Sequence, residues 1–219
     1  MIPSNFTQKM AVELSFLQTT ALILIYSFCG IQSGLDSATS LSTYPRISLL
    51  ISPINKEEED QLSENITTYY LVGSILAGIV FFFTKNWMRK IFIKSDIIII
   101  IGYLLSIFSN KPTKNTLCIS RFFVGYGTTT LTLVGPLMVT RNWPNGNLLL
   151  ASFGLSYQLG QTISDFIVID EWRYELLGPC VVALVQLILV SFTNKVQATY
   201  PSFNITRSIL FSSLKKVKA

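Results

Sequence analysis

The chain contains 219 residues, of which 50% are hydrophobic and 13% are charged, and its mean hydropathy is +0.49. Soluble domains carry about 25% charged residues, so this composition excludes an ordinary water-soluble domain and predicts an integral protein of the lipid bilayer. Histidine is absent and the three cysteines are far apart, so no zinc site, disulfide framework or cofactor is expected. The net charge of +5 lies mainly at the ends of apolar segments and does not indicate a nucleic-acid partner.

Six stretches are long and apolar enough to cross a bilayer as helices of about 20 residues. In chain order they run from about Leu14 to Ser40, Ile66 to Thr84, Ile91 to Ser109, Thr116 to Thr140, Asn147 to Ile169 and Tyr174 to Thr193. The third is the clearest span, and the fifth is the weakest because polar residues interrupt it. The first is too long for a cleaved signal peptide, so we expect a retained helix.

The positions of lysine and arginine predict the topology, because these residues favour the cytoplasmic side of a membrane. With the N-terminus inside, eleven of them lie in inner segments and five in outer segments. We therefore expect a multi-pass protein with a cytoplasmic N-terminus at 1–13 and a transmembrane domain at 14–193; the plasma membrane is the expected location, although the charge pattern does not identify it. Residues 194–219 form a basic cytoplasmic tail, either an interfacial helix or an irregular segment. Residues 41–65 are predicted to be a solvated loop.

Two ionisable residues within the predicted spans stand out, Asp36 near the outer end of span 1 and Arg121 in the outer half of span 4. Both lie at a comparable depth, and a buried carboxylate beside a guanidinium can hold its charge. Such a pair can act as a proton switch, because protonating the aspartate frees the arginine. The alternatives are a purely structural ion pair, or an aspartate that reaches water.

Span 5 carries Gln158, Gln161 and Asp165 at spacings that place all three on one helical face. This polar stripe should point away from lipid. It could line an aqueous path, where amide groups bind hydroxyl-rich solutes, or it could join helices by hydrogen bonds. The small residues of Gly73-Ser74-x-x-Ala77-Gly78 and Gly125-x-Gly127 predict close helix packing.

Several segments together suggest a known family. They are Gln32–Ala38 (QSGLDSA), Arg121–Gly127 (RFFVGYG), Pro136 and Pro144, Tyr157–Gly160 (YQLG), and Trp172-Arg173. In order and spacing, residues 14–195 resemble the N-terminal half of the sugar porters, the glucose-transporter branch of the major facilitator superfamily. The resemblance implies an all-α polytopic membrane protein in which six transmembrane helices form two three-helix repeats of inverted topology.

The resemblance also implies roles for individual residues. Asp36 falls where proton-coupled sugar porters keep their proton-accepting aspartate, and Arg121 falls on its arginine partner. Gln158 falls on a ligand of sugar hydroxyl groups, whereas the positions of Gln161 and Asp165 line the pocket and are usually apolar. The predicted substrate-binding residues are Gln32, Gln158, Gln161 and Asp165.

Features of the family's inner gate are missing from the sequence. Only the basic pair Arg89-Lys90 remains of the family's motif after span 2, and Arg141 stands where the family has a glutamate. The segment after span 6 has no counterpart of the family's P-E-S-P-R. In the family these groups form an ion-pair network that holds the inner gate.

Family members have twelve spans in two halves with the substrate between them, and six spans are predicted here. The leading expectation is a sugar-porter-like transport protein, a proton-coupled hexose symporter, that pairs with a second copy or with a partner half-transporter. The alternative is a degenerate half-transporter that acts as a non-transporting interaction or sensor protein, which the missing gate motifs favour. No enzymatic activity is expected, because no nucleophile and base stand together.

Overall fold

The computed structural model describes residues 16–51, 56–83, 88–108, 114–142, 146–166 and 172–192, and the predicted terminal segments 1–13 and 194–219 lie outside them. The described residues form six helices and no strand, which confirms the predicted all-α fold. The helices are α1 (Phe16–Ile51), α2 (Lys56–Phe83), α3 (Met88–Ile107), α4 (Lys114–Asn142), α5 (Gly146–Phe166) and α6 (Trp172–Phe192). Each helix contains most of one predicted span.

The prediction of a loop at 41–65 was wrong, because α1 continues to Ile51 and α2 begins at Lys56. The acidic run after Lys56 belongs to the N-terminal part of α2. Leu62 and Ile66 are buried, and the polar residues between them are exposed or half-buried. This spacing of four residues gives an amphipathic helix, which the sequence analysis did not consider.

The outer surface of the bundle is rich in exposed apolar side chains, and its interior combines an apolar core with buried polar and charged residues. Exposed large apolar residues cover the outer faces of α2, α3 and α6, among them Leu71, Val72, Ile75, Ile79, Ile97, Ile101, Leu105, Val181, Leu184 and Ile188. The buried polar residues include Gln32, Ser33, Asp36, Asp96, Ser106, Ser120, Arg121, Thr128 and Gln186. Such a distribution suits a lipid environment, in which ionisable side chains face the interior of a helical bundle.

Within the described residues, three stretches meet the length and composition of a membrane span, Asp60–Phe83, Lys114–Pro136 and Trp172–Ser191. Helix α3, expected to be the clearest span, is not among them. The reason is that Lys90, Lys94 and Asp96 stand in its first half. The isoleucine-rich core of α3 is therefore shorter than the helix itself.

The helix contacts follow the symmetry of two three-helix repeats. Helix α1 packs extensively against α5, and α4 packs in the same way against α2. Helix α3 contacts α4, just as α6 contacts α1. Exchanging α1–α3 with α4–α6 therefore maps these contacts onto one another. Because each repeat contains three spans, the second repeat crosses the membrane in the opposite direction to the first. This arrangement is the predicted inverted topology.

Glycines allow the close approach of α2 and α4. A Cβ atom on Gly73 would overlap the carbonyl oxygen of Phe122, and one on Gly125 would overlap the carbonyl oxygen of Tyr70. Gly73 stands three residues after Tyr70, and Gly125 stands three residues after Phe122, so the two contacts are equivalent. The predicted close packing at Gly73 and Gly125 is confirmed, whereas nothing lies within 4 Å of a Cβ built on Gly78.

The α1–α5 crossing repeats the same geometry. A Cβ atom on Gly160 would overlap the carbonyl oxygen of Ile31, and one on Gly34 would overlap the carbonyl oxygen of Tyr157. The spacing of three residues between Tyr157 and Gly160 matches that between Tyr70 and Gly73 in α2. The internal repeat is thus visible at the level of single residues, although the surrounding sequence has diverged.

Gly73→Ala should destabilise the bundle by about 1–3 kcal/mol, the usual cost of overpacking a core, because the new methyl group meets backbone atoms of α4. Gly78→Ala is the matched control on the same helix. Its methyl group enters open space, and alanine should stabilise the helix by about 0.5–1 kcal/mol. Thermal unfolding of the detergent-solubilised proteins measures both effects. Equal melting temperatures for the two variants would contradict the proposed crossing.

Candidate functional site

A buried carboxylate at the centre of the bundle receives two hydrogen bonds. Asp36 lies on α1 and is fully buried. The Tyr103 hydroxyl of α3 donates to its Oδ1 atom at 2.7 Å, and the Arg121 Nη1 atom of α4 donates to the same oxygen at 3.0 Å. Three helices from both repeats therefore converge on one oxygen atom.

The Arg121 guanidinium is held by more than its carboxylate partner. Only 2% of its side chain is exposed. Its Nη2 atom donates to the Ser40 hydroxyl of α1, and its Cζ atom lies 4.6 Å from the ring centroid of Tyr70 of α2. This distance is within the range of a cation–π interaction. The ion pair thus connects α1 and α4 and is supported by α2 and α3.

The energetics of this pair make each charge dependent on the other. Removing two charges from water costs several kcal/mol per ion, so a buried ion pair is often no more stabilising than apolar residues of similar volume. Losing one partner from such a pair costs about 3–5 kcal/mol. Asp36 and Arg121 are therefore stable only together, and any event that neutralises Asp36 changes the energy of Arg121.

A cavity of about 400 Å³ lies directly beside Arg121. Residues from α1, α2, α4 and α5 line it, namely Ser33, Ser37, Ser40, Ser63, Ile66, Thr67, Tyr70, Leu71, Arg121, Thr128, Thr129, Thr132 and Tyr157. Ten of these thirteen residues carry a hydroxyl group. The volume falls in the range of small-molecule sites, and the lining can bind a solute rich in hydroxyl groups.

Several of these hydroxyl groups already donate to their own helix. Ser33 donates to the carbonyl of Cys29 at 2.8 Å, and Ser40 donates to the carbonyl of Asp36 at 2.6 Å. Their oxygen lone pairs remain able to accept hydrogen bonds. The Thr128 hydroxyl is buried and has no hydrogen-bond partner among the described residues. The cavity therefore offers acceptors, one hydroxyl with unused bonding capacity and one guanidinium.

The predicted substrate-binding residues are not gathered in this cavity. Gln158 is exposed on α5. Gln161 is half-buried, and its Nε2 atom donates to the Tyr157 hydroxyl at 3.3 Å, which connects it to the cavity wall. Gln32 is fully buried between Cys29 and Asp36 and does not line the cavity. The side chains of Asp165 and Arg141 lie outside the described residues.

Sequence reasoning missed the hydroxyl lining and the residues around the ion pair. A signal was present in the spacing of Ser33, Ser37 and Ser40, which places three hydroxyl groups on one face of α1. Tyr103 gave no such signal, because a tyrosine in an apolar run is ordinary. Asp96 was also missed, although it is a fully buried carboxylate within the predicted third span.

The described residues contain no group of three or more histidine, cysteine, aspartate or glutamate side chains that could hold a metal ion. The cysteines Cys29, Cys118 and Cys180 are free and buried. Hydroxyl groups and a charged pair dominate the site instead. This chemistry suits the binding and release of a neutral polar solute.

The comparison with known families agrees with this geometry. No curated protein shows significant similarity to the chain. The profile of the family described as sugar (and other) transporter matches residues 22–195, which include all six helices except the first six residues of α1. The match covers most of the 219 residues. The chain belongs to the sugar (and other) transporter family, a family of polytopic membrane proteins within the major facilitator superfamily.

Proposed function

We propose that the chain forms one half of a proton-coupled sugar transporter, with a hexose as substrate, in the plasma membrane with both termini in the cytoplasm. The observation that carries the proposal is the position of Arg121. Its guanidinium binds the carboxylate of Asp36, and it also lines the hydroxyl-rich cavity itself. A change in the charge of Asp36 therefore alters the electrostatic environment of a side chain that would contact the solute.

The mechanism follows from the charges of the pair. Ionised Asp36 holds the guanidinium of Arg121 through Oδ1. When a proton neutralises Asp36, the Coulomb attraction is lost and the Tyr103 hydroxyl can remain bonded to the neutral acid. Arg121 then keeps its contacts with Ser40 and Tyr70 and can turn towards a solute in the cavity. Proton binding and solute binding are thereby coupled through one side chain.

A second six-helix unit completes the pathway in this proposal. Substrate sites in this kind of fold lie between two halves, and Gln158 with its neighbours Leu155, Leu159 and Thr162 is exposed on α5. An exposed amide among apolar residues is better placed against a protein surface or an aqueous path than against lipid. The second unit is either another copy of this chain or a partner half-transporter.

The competing function is a non-transporting membrane interaction or sensor protein. Arg141 and the shortened motif at Arg89-Lys90 favour it, because they remove charges that hold the inner gate in the family. Transport assays separate the two functions directly, since a sensor would bind a solute without moving it.

Purified protein in proteoliposomes should take up radiolabelled hexose, and an inward proton gradient should increase the uptake. Thr128→Val removes a buried hydroxyl group that lines the cavity and has no partner among the described residues. One lost hydrogen bond of about 0.5–1.5 kcal/mol should raise KM by about two- to tenfold. Thr130→Val is the matched control, because its hydroxyl donates to the carbonyl of Tyr126 within α4 and does not line this cavity.

Gln158→Ala should also reduce uptake if its exposed amide faces the solute path. Equal KM values for wild type, Thr128→Val and Thr130→Val would exclude the cavity as the sugar site. No uptake by correctly folded wild-type protein, in the presence of measurable sugar binding, would support the sensor function instead.

Asp36→Asn should abolish the stimulation of uptake by a proton gradient while the protein still exchanges sugar across the membrane at equilibrium. The amide keeps a hydrogen-bond acceptor for Tyr103 but cannot gain or lose a proton. Asp60→Asn, the same change at an exposed position of α2, should leave both activities at the wild-type level. Gradient-driven accumulation by Asp36→Asn would refute the role of the pair in coupling.

The need for a second unit can be tested in mild detergent. A carrier built from two copies should migrate as a dimer, and its uptake activity should follow the dimer fraction after separation. A monomer that transports alone would contradict the proposed second half.

A further inference from the structure

A second buried carboxylate lies in the core of the bundle, and the ion pair does not account for it. Asp96 of α3 is fully buried, and neither of its carboxylate oxygens has a hydrogen-bond partner among the described residues. One carboxylate oxygen of Asp36, in contrast, accepts hydrogen bonds from the Arg121 guanidinium and the Tyr103 hydroxyl. An isolated ionised carboxylate in an apolar interior is so costly that it is ordinarily neutralised.

The register of α1 and α3 gives the depth of Asp96 relative to Asp36. Asp36 contacts Tyr103, 67 residues later, and Cys29 lies within electrostatic range of Asp96, which is also 67 residues later. These two pairs share the same separation, so α1 and α3 run in the same direction. Since Asp96 precedes Tyr103 by seven residues, it lies two helical turns, or about 10 Å, from the level of Tyr103 and Asp36, towards the N-terminal end of α3.

Buried polar side chains with unused bonding capacity occupy the space between and around the two carboxylates. We name Tyr26, Cys29, Gln32 and Asp36, which follow one side of α1, the polar column. Both amide atoms of Gln32 and the Tyr26 hydroxyl are buried without hydrogen-bond partners among the described residues. Buried polar atoms of this kind are ordinarily satisfied by ordered water. The column thus places a polar group every three or four residues along α1, from Asp36 to Cys29 at the level of Asp96.

The other helices around Asp96 bring no opposite charge to it within the described residues. From α6, the neutral Gln186 reaches this level, where its Nε2 atom donates to the Cys29 Sγ atom at 3.0 Å. The charged residues Arg173 and Glu175 stand at least eleven residues earlier on α6, about 16 Å away along the helix. From α4, Gly127 packs against the Ser95 carbonyl.

The titratable groups that face Asp96 are therefore Cys29 and, beyond it, Tyr26, both on α1. Lys94 is exposed and lines, with Tyr126 of α4, a separate cavity of about 110 Å³. Residues two apart on a helix point to nearly opposite sides, so Lys94 does not neutralise Asp96. Arg121 lies at the level of Tyr103, two turns away, and is bound to Asp36.

We propose that Asp96 is a second proton-binding site of the bundle and that it exchanges protons with Asp36 along the polar column. The exchange step rests on the proposed proton coupling of Asp36, whereas the proton-binding site itself does not. In the exchange, the proton leaves the carboxylic acid of Asp36, which becomes the carboxylate that binds Arg121, and it joins the carboxylate of Asp96. Charge and proton number are conserved over the two residues, and the proton moves about two helical turns.

Infrared spectroscopy of the protein in lipid vesicles tests the site without any transport. A protonated carboxylic acid has a carbonyl stretch that a carboxylate lacks. At neutral pH in sodium-free buffer, the wild-type protein should show this band for a buried acid, and Asp96→Asn should lose it. Asp60→Asn, which changes an exposed carboxyl group, should retain the band. Asp96→Glu keeps the acid in a longer side chain and should shift the band, which covers the case in which Asp96→Asn does not fold.

Two infrared results would overturn the site. Identical spectra for wild type and both Asp96 variants would mean that Asp96 does not hold a proton. Loss of the band on adding sodium ions at constant pH would mean that the residue binds a metal cation instead of a proton.

Transport then tests the exchange step. Asp96→Asn should lose accumulation driven by a proton gradient and keep equilibrium exchange of sugar. Unchanged gradient-driven accumulation in a variant whose infrared band is absent would overturn the exchange, while the site would stand. If the wild-type protein moves no sugar at all, the proposed function fails and the exchange with it, but the infrared band still decides whether Asp96 binds a proton.

Discussion

The contact between Asp36 and Arg121 is the constraint on which the arrangement of the core depends. Losing either charge costs about 3–5 kcal/mol at full burial, so the four helices around the pair favour holding the two side chains together. Tyr103 of α3 fixes the carboxylate oxygen that Arg121 binds, and Tyr70 of α2 covers the guanidinium. The pair joins α1 of the first repeat to α4 of the second, so that a change of protonation acts at the boundary between the repeats.

The glycine crossings make this contact geometrically possible. Gly125 lies one turn after Arg121 on α4, and its missing side chain brings the backbone of Tyr70 close enough for the tyrosine ring to lie over the guanidinium. Gly34, two residues before Asp36, brings α1 against the backbone of Tyr157. Both tyrosines line the cavity. Close packing through small residues, the main source of helix association in lipid, therefore also shapes the site.

Much of the fold could be predicted from the sequence, because long apolar runs leave a chain few structures in a membrane. The comparable depths of Asp36 and Arg121 also predicted their pairing, and in the structure Arg121 Nη1 lies 3.0 Å from Asp36 Oδ1. The helical extension of α1 to Ile51 could not be found in this way, since hydropathy marks the membrane-buried part of a helix and not its end. The role of Tyr103 could not be predicted for another reason, because it depends on which face of α3 is turned towards α1. Asp96 was overlooked within an isoleucine-rich run whose hydropathy outweighs one carboxylate.

The hydroxyl groups of the cavity explain how a polar core can exist in this bundle at small cost. A serine that donates to its own helix, as Ser33 and Ser40 do, enters the interior with its proton satisfied and can still accept a hydrogen bond. Such hydroxyl groups can then accept hydrogen bonds from a solute without leaving their own protons unpaired when the solute departs. Carboxylates have no such local partner, which is why Asp36 requires Arg121. Asp96, which has no hydrogen-bond partner among the described residues, lacks such compensation.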